Sequence, residues 1–196
     1  MPLLSKELKE SGFAKASGGG NYLNPSSVAE GDKLRFTILG DDSLVGHQCW
    51  VDGPEGKGLA IRFKDEPSAS DIEERAAELG GKVRPETEAR KFMAFAIFNY
   101  DAAKVQVFQF TQTSIATPLI AYLSDEEIEQ EPHLYDFVLS ATGTGKDKRY
   151  SVTALPGRRR KPEINKSVED EWGEVMSEGF DLSRLLSGAD PFKSPF

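Results

Sequence analysis

Between Ala141 and Tyr150 the chain reads ATGTGKDKRY, half of a nucleotide-binding phosphate loop. The complete loop is G-x-x-x-x-G-K followed by Ser or Thr. Its lysine reaches the β- and γ-phosphates and its hydroxyl ligates magnesium. Here Ser140 holds the first glycine position and Asp147 follows Lys146. A carboxylate there repels phosphate and supplies no hydroxyl, so the stretch is read as the glycine turn of a hairpin.

Metal and nucleophile chemistry are constrained by counting. His47, Cys49 and His133 are the only imidazole and thiol side chains. A closed zinc site of the Cys/His kind takes four such ligands, so no metal and no cofactor are expected. His47-x-Cys49 reads as one face of a strand. The single cysteine rules out an internal disulfide and fits a reducing compartment. Carboxylate pairs remain, at Glu73-Glu74 and Glu126-Glu127, both in segments of ordinary surface-helix composition.

The elements that must position these groups are mostly strands. DKLRFTILG (32–40) alternates, with Leu34, Phe36 and Ile38 on one face, and LVGHQCWV (44–51) and GLAIRFK (58–64) follow. A short helix is expected over 70–82, capped by Ser70 or Asp71 and stopped at Gly80-Gly81. KFMAFAIFNY (91–100) and KVQVFQFTQ (104–112) are separated only by Asp-Ala-Ala and should pair as a hairpin. The first of them is apolar on both faces, so it is buried twice over or exposes an aromatic face for a purpose. A helix is expected over 113–124, with Pro118 in its first turns, and a second hairpin over 134–155. This order suits a mainly β protein with an OB-fold-type five-stranded barrel and helical insertions; a β-sandwich is the alternative.

The 196 residues are 38% hydrophobic and 29% charged, and no apolar run reaches the roughly 20 residues that span a bilayer. The N-terminal stretch lacks an apolar core of signal-peptide length, so an intracellular location is expected. Charge is uneven. After Pro162, eight acids face three bases, which puts −5 of the net −8 on the last 35 residues. The expected organisation is a flexible leader (1–20), a folded domain (21–161) and a flexible acidic C-terminal tail (162–196).

Asn99-Tyr100-Asp101, Lys104-Val105-Gln106, Thr111-Gln112, Tyr135-Asp136 and Tyr150-Ser151-Val152 follow one another along the chain. With GNYLNP, GDKLRFTILG, Trp50 and Arg62, they resemble bacteriophage single-stranded DNA-binding proteins. These are OB-fold proteins distantly related to the T-even phage helix-destabilising protein. The likeness covers roughly residues 20–156. It implies a non-enzymatic protein in the cytoplasm of a host bacterium, coating single-stranded DNA during replication, recombination and repair. The T-even protein's structural zinc has no ligands here and is not carried over.

Such binding needs aromatic faces for bases and cations along the phosphates. The candidate aromatics are Trp50, Phe92, Tyr100 and Tyr150. The candidate cations are Arg62 and Lys64, Arg90 and Lys91, Lys104, then Lys146, Lys148 and Arg149, and finally Arg158, Arg159 and Arg160 in the GRRRK run. On this reading the opening stretch does meet phosphates, those of a DNA backbone. The acidic tail ending in Pro-Phe resembles that of bacterial single-strand-binding proteins, which implies capture of replication, recombination or repair proteins through Asp190, Pro191, Phe192, Pro195 and Phe196. Self-association is left open. The alternatives are a magnesium-dependent nuclease or nucleotide-binding enzyme using the carboxylate pairs, and a β-barrel protein-interaction module.

Overall fold

Leu34, Phe36 and Ile38 begin a strand that does not stop where the sequence suggests. The computed structural model describes residues 20–155 and 160–193. In it β2 runs unbroken over Lys33–Asp52 and joins the two strands expected at 32–40 and 44–51. The Gly-Asp-Asp-Ser stretch, turn-like in composition, is an irregularity between Leu39 and Ser43, where Gly40 takes a φ of +65°. A bulge bends a strand without ending its pairing.

Around β2 the chain builds β1 (Tyr22–Leu23), β3 (Gly58–Phe63), β4 (Arg90–Asn99), β5 (Lys104–Phe110), β6 (Asp136–Thr142) and β7 (Arg149–Leu155). The order is β1-β5-β4-β2-β6-β7, with β3 paired to the far half of β2. Every pairing is antiparallel except β1 with β5. The fold is mainly β, as expected, but the sheet is open and has seven strands rather than a closed five. Among the described residues no ladder joins β7 to β5. The helix α2 (Thr113–Leu123) lies against β7 instead and buries Ile115 and Leu119 in the main core.

The helix expected over 70–82 is α1 (Ala69–Glu78). Its N-cap is Ser68, two residues earlier than read, in a reciprocal capping box with Asp71. In α2, Pro118 lies mid-helix rather than in the first turns. A short α3 (Glu126–Gln130) follows. The glycine turn at 143–148 does join a hairpin, β6 to β7.

Strand alternation divides the apolar residues between two faces. One face carries Phe36, Ile38, Phe95, Ile97, Phe108 and Phe110, closed over by Phe137, Leu139, Val152 and α2. The opposite face carries Leu39, Phe92, Ala94, Ala96, Phe98, Val105 and Val107. The strand that is apolar on both sides is therefore buried on both sides.

The second face is covered by the segment expected to be a flexible tail. Pro162–Ser177 forms α4, and Leu182–Ser187 a 3-10 turn. Val168, Phe180, Leu182 and Leu185 are buried against the sheet, with Trp172 and Phe192 packed beside them. Trp172 seats over Gly40, where an added Cβ would meet its ring at 3.1 Å. Apolar burial, at about 25 cal/mol per Å², holds this acidic arm down despite its charge. Of the expected leader (1–20), residues 1–19 lie outside the described residues.

Candidate nucleic-acid interface

Pairing register fixes what lies beside the arm on the same sheet face. Gln48 is opposite both Arg62 and Arg90, and Trp50 is opposite Ala60. Phe92 pairs with Gly46, and Ala94 with Gln109. Tyr22 pairs with Val107. Because side chains alternate, Tyr22, Gln109, Gln48, Arg62, Arg90 and Trp50 share one face with Phe92.

Two aromatics on this face remain open to solvent, Trp50 at 61% and Tyr22 at 41%. Trp50 has room to lie flat because Gly58 is its neighbour on β3: a Cβ there would touch the indole at 3.4 Å. Between the two aromatics runs a polar chain. Arg62 donates to Gln109 Oε1 at 3.1 Å, and Gln109 donates to Gln48 Oε1. Burial, reinforced by Asp190, pushes the Tyr22 hydroxyl up from its ordinary pKa, and Arg62 opposes the shift. The end of the arm thus reaches this strip.

Beside Trp50 is a cavity of about 330 Å³ lined by Gln48, Cys49, Trp50, Arg84, Glu86, Thr87, Glu88, Arg90 and Thr111. Its rim is ordered locally. Arg84 forms an ion pair with Asp52 through both Nε and Nη2, the Arg84 amide donates to Thr87 Oγ1 at 3.1 Å, and that hydroxyl donates to the Trp50 carbonyl at 3.4 Å. The hydrogen bond from Arg84 holds the Asp52 carboxyl below its ordinary value. Arg90 is exposed and makes no ion pair among the described residues.

The other sequence candidates scatter. Phe92 is 1% exposed and packed in the second core, with its ring over Gly46, so it is no stacking platform. Lys91 is opposite His47, on the other sheet face, and Lys64 is exposed just past β3. Lys104 lies at the β4–β5 turn. Lys146, Lys148 and Arg149 surround the β6–β7 turn, near Lys33 and far along β2 from Trp50. Lys148 Nζ donates to the Ser26 carbonyl at 2.8 Å and stands 5.4 Å from the ring centre of Tyr150, which is half-buried against the main core. Arg158 and Arg159 lie outside the described residues.

Tyr100 and Arg160 belong to a buried network. Asp136, fully buried, accepts from Arg35, from Arg160 Nε at 2.8 Å and from the Tyr100 hydroxyl at 2.7 Å. Arg35 covers the Tyr100 ring at 4.8 Å. Arg160, its side chain 4% exposed, also donates to Thr37 Oγ1 at 2.7 Å and to the carbonyls of Tyr135 and His133. This arginine anchors the start of the arm through Nε and Nη2 and, with its side chain almost wholly buried, offers little surface to DNA. Burial and the bond to Asp136 push the Tyr100 hydroxyl far above its ordinary range.

At the far end of the arm, Phe192 stacks edge-on against Phe180 at 5.0 Å, Pro191 is buried with its carbonyl bonded to the Asp181 amide, and the Asp190 carboxylate accepts from the Phe192 amide at 3.1 Å. These three expected partner contacts are docked on the protein itself; Pro195 and Phe196 lie outside the described residues. No group of three or more metal-ligating side chains occurs among the described residues, and no helix there is long and apolar enough to cross a membrane.

Sequence reading missed Tyr22, Gln48, Gln109 and Arg84. Gln48 carried a signal, since it stands two residues before Trp50 in an alternating strand. Compared with family models, with curated proteins and with solved structures, the chain has no match.

Proposed function

We propose that the chain is a non-enzymatic single-stranded DNA-binding protein of OB type that coats DNA during viral replication, recombination and repair. Strand order supports the fold reading. An OB barrel is a five-stranded Greek key whose binding surface is the face of its second and third strands, flanked by the first–second and fourth–fifth loops. Taking β2, β4, β5, β6 and β7 as those five strands gives a matching meander, with α2 between the third and fourth. The β3–α1 segment is then an enlarged first–second loop.

The observation that carries the functional reading is Trp50. A large exposed indole on the far half of β2, the first of those five strands, lies on the same sheet face beyond the arm, with Arg90 and Arg62 beside it and a second exposed aromatic, Tyr22, across the strip. Stacking on an indole contributes about 1–3 kcal/mol per base without regard to sequence, and cations at its edge add salt-dependent affinity. Phe192 must undock before the arm's end engages replication or repair proteins, because it packs on Phe180.

The test is a fluorescence titration with oligo-dT at increasing salt. Binding is expected to quench the Trp50 emission, to be much tighter than for duplex, and to weaken about fivefold or more in Trp50→Ala. Equal affinity for duplex, or a Trp50→Ala protein that binds as well as the parent, would refute the reading.

A further inference from the structure

The cavity beside Trp50 has an odd lining for a surface that meets phosphates. Glu86 and Glu88 stand with Arg84 and Arg90 around it, both exposed and neither hydrogen-bonded nor ion-paired among the described residues. An ionised carboxylate only accepts hydrogen bonds, so these two repel a phosphate and attract N–H groups. At about 330 Å³ the cavity has room for one nucleobase beside the indole.

Resting on the single-strand reading above, we infer that this cavity is a base-selective subsite that prefers guanine. The chemistry singles out that base. Unstacked bases present their pairing edges to protein side chains, and the guanine edge places N1–H and N2–H₂ side by side, matching the two oxygens of one carboxylate. Cytosine and adenine offer one amino group next to a ring-nitrogen acceptor, which a carboxylate repels. Thymine offers one N–H flanked by two carbonyls. A guanine stacked on Trp50 turns its donors toward Glu86 or Glu88 and leaves its phosphate to Arg90. Arg84 is bonded to Asp52 and also attracts the Glu86 carboxylate from a distance, so of the two acids Glu88 is the less compensated.

Along the rest of the strip, Arg62 donates to Gln109 and Gln109 to Gln48, which engages the side-chain oxygens of both glutamines. Selectivity is therefore confined to a single nucleotide position in an otherwise sequence-tolerant footprint.

The experiment measures anisotropy of the full chain with labelled dT15, and with the same strand carrying one central guanine or one central inosine, which lacks the N2 amine. The guanine strand is expected to bind about fivefold tighter than dT15, the low end for a paired base contact because the carboxylates are solvated, and inosine is expected to lose most of that gain. Both glutamates are exposed, so Glu86→Ala/Glu88→Ala should fold. It is expected to tighten dT15 binding as two negative charges leave, while erasing the guanine advantage. If dT15 binds but guanine gives no advantage, or the advantage survives in the double variant, the subsite is overturned and single-strand binding stands. If no strand binds, the single-strand reading itself fails.

Discussion

Replacing Arg160 separates anchoring from DNA contact. Alanine there removes the ion pair to Asp136 and the bonds to Thr37 and to the Tyr135 and His133 carbonyls. Asp136 keeps Arg35 and Tyr100, so its charge is not orphaned. The loss therefore falls near the low end for breaking a buried pair, about 3 kcal/mol. In a domain of this length each kcal/mol moves Tm by about 2–4 °C, which gives a fall of about 6–12 °C. Calorimetry reads that fall, and titrations of oligo-dT at several salt concentrations read the companion quantity. Arg160→Ala should leave the slope of log affinity against log salt unchanged. Arg90→Ala should do the reverse, with Tm nearly constant and the slope reduced by about 0.7 for each phosphate that the arginine neutralises. A Tm within about 2 °C of the parent, or a reduced salt slope, in Arg160→Ala would refute the assignment of this arginine to the anchor.

Three further outcomes follow from the packing and the titrating groups. Gly46→Ala places a methyl 2.5 Å from the Phe63 carbonyl oxygen and 2.9 Å from the Phe92 ring; neither can retreat freely, so the urea midpoint should drop by the equivalent of about 1–3 kcal/mol. The Tyr100 hydroxyl is held neutral when folded, its pKa raised by burial and by Asp136. Stability from this group is full below pH about 10 and is lost as pH rises through the folded value. Tyr100→Phe should flatten that alkaline decline relative to the parent in urea melts at stepped pH; an identical decline would count against it. In the arm, Glu169→Gln/Glu174→Gln/Glu178→Gln changes charge at exposed positions and leaves the apolar contacts in place. It should tighten oligo-dT binding at low salt and lose the effect near 1 M, where screening acts within about 3 Å, whereas an equal gain at both salts would rule out an electrostatic cause.

Much of the sheet was legible because period-two alternation in β2, β4 and β5 leaves little choice of face. The fusion across Gly40 was not, since Gly-Asp-Asp-Ser is also what a turn looks like. Only pairing of both halves of β2 with one strand, β4, distinguishes a bulge from a break. The open sheet escaped for a similar reason: whether β7 meets β5 or a helix intervenes is a long-range choice that no local spacing encodes. Phe92 illustrates the same limit at the site. A strand apolar on both faces admits burial or a binding surface, and the covering element stands seventy residues further on. That element carried its own signal. Ile164, Val168, Trp172 and Val175 recur at helical spacing, but net charge dominated the reading of the segment.

The arm changes what single-strand binding requires of this sheet. A free acidic chain would compete along the whole face, yet this one is fixed, with Phe180, Leu182 and Leu185 over the rows of Phe92, Ala96 and Val107. The strip is most open at its Trp50–Arg90 end, whereas Arg62 is partly buried and Asp190 of the arm stands near Tyr22. On the proposed reading a strand engages the Trp50–Arg90 end without first displacing the arm, and the two exposed aromatics limit stacking to a few bases for each copy. Affinity then leans on phosphate contacts, which are salt-dependent. The acids of the arm act on this term as a nearby fixed charge, strongest where Asp190 approaches Tyr22. Deleting residues 162–196 would confound the two effects, because it removes that charge and also bares the apolar face of β4 and β5. Neutralising exposed acids on an intact arm isolates the electrostatic part.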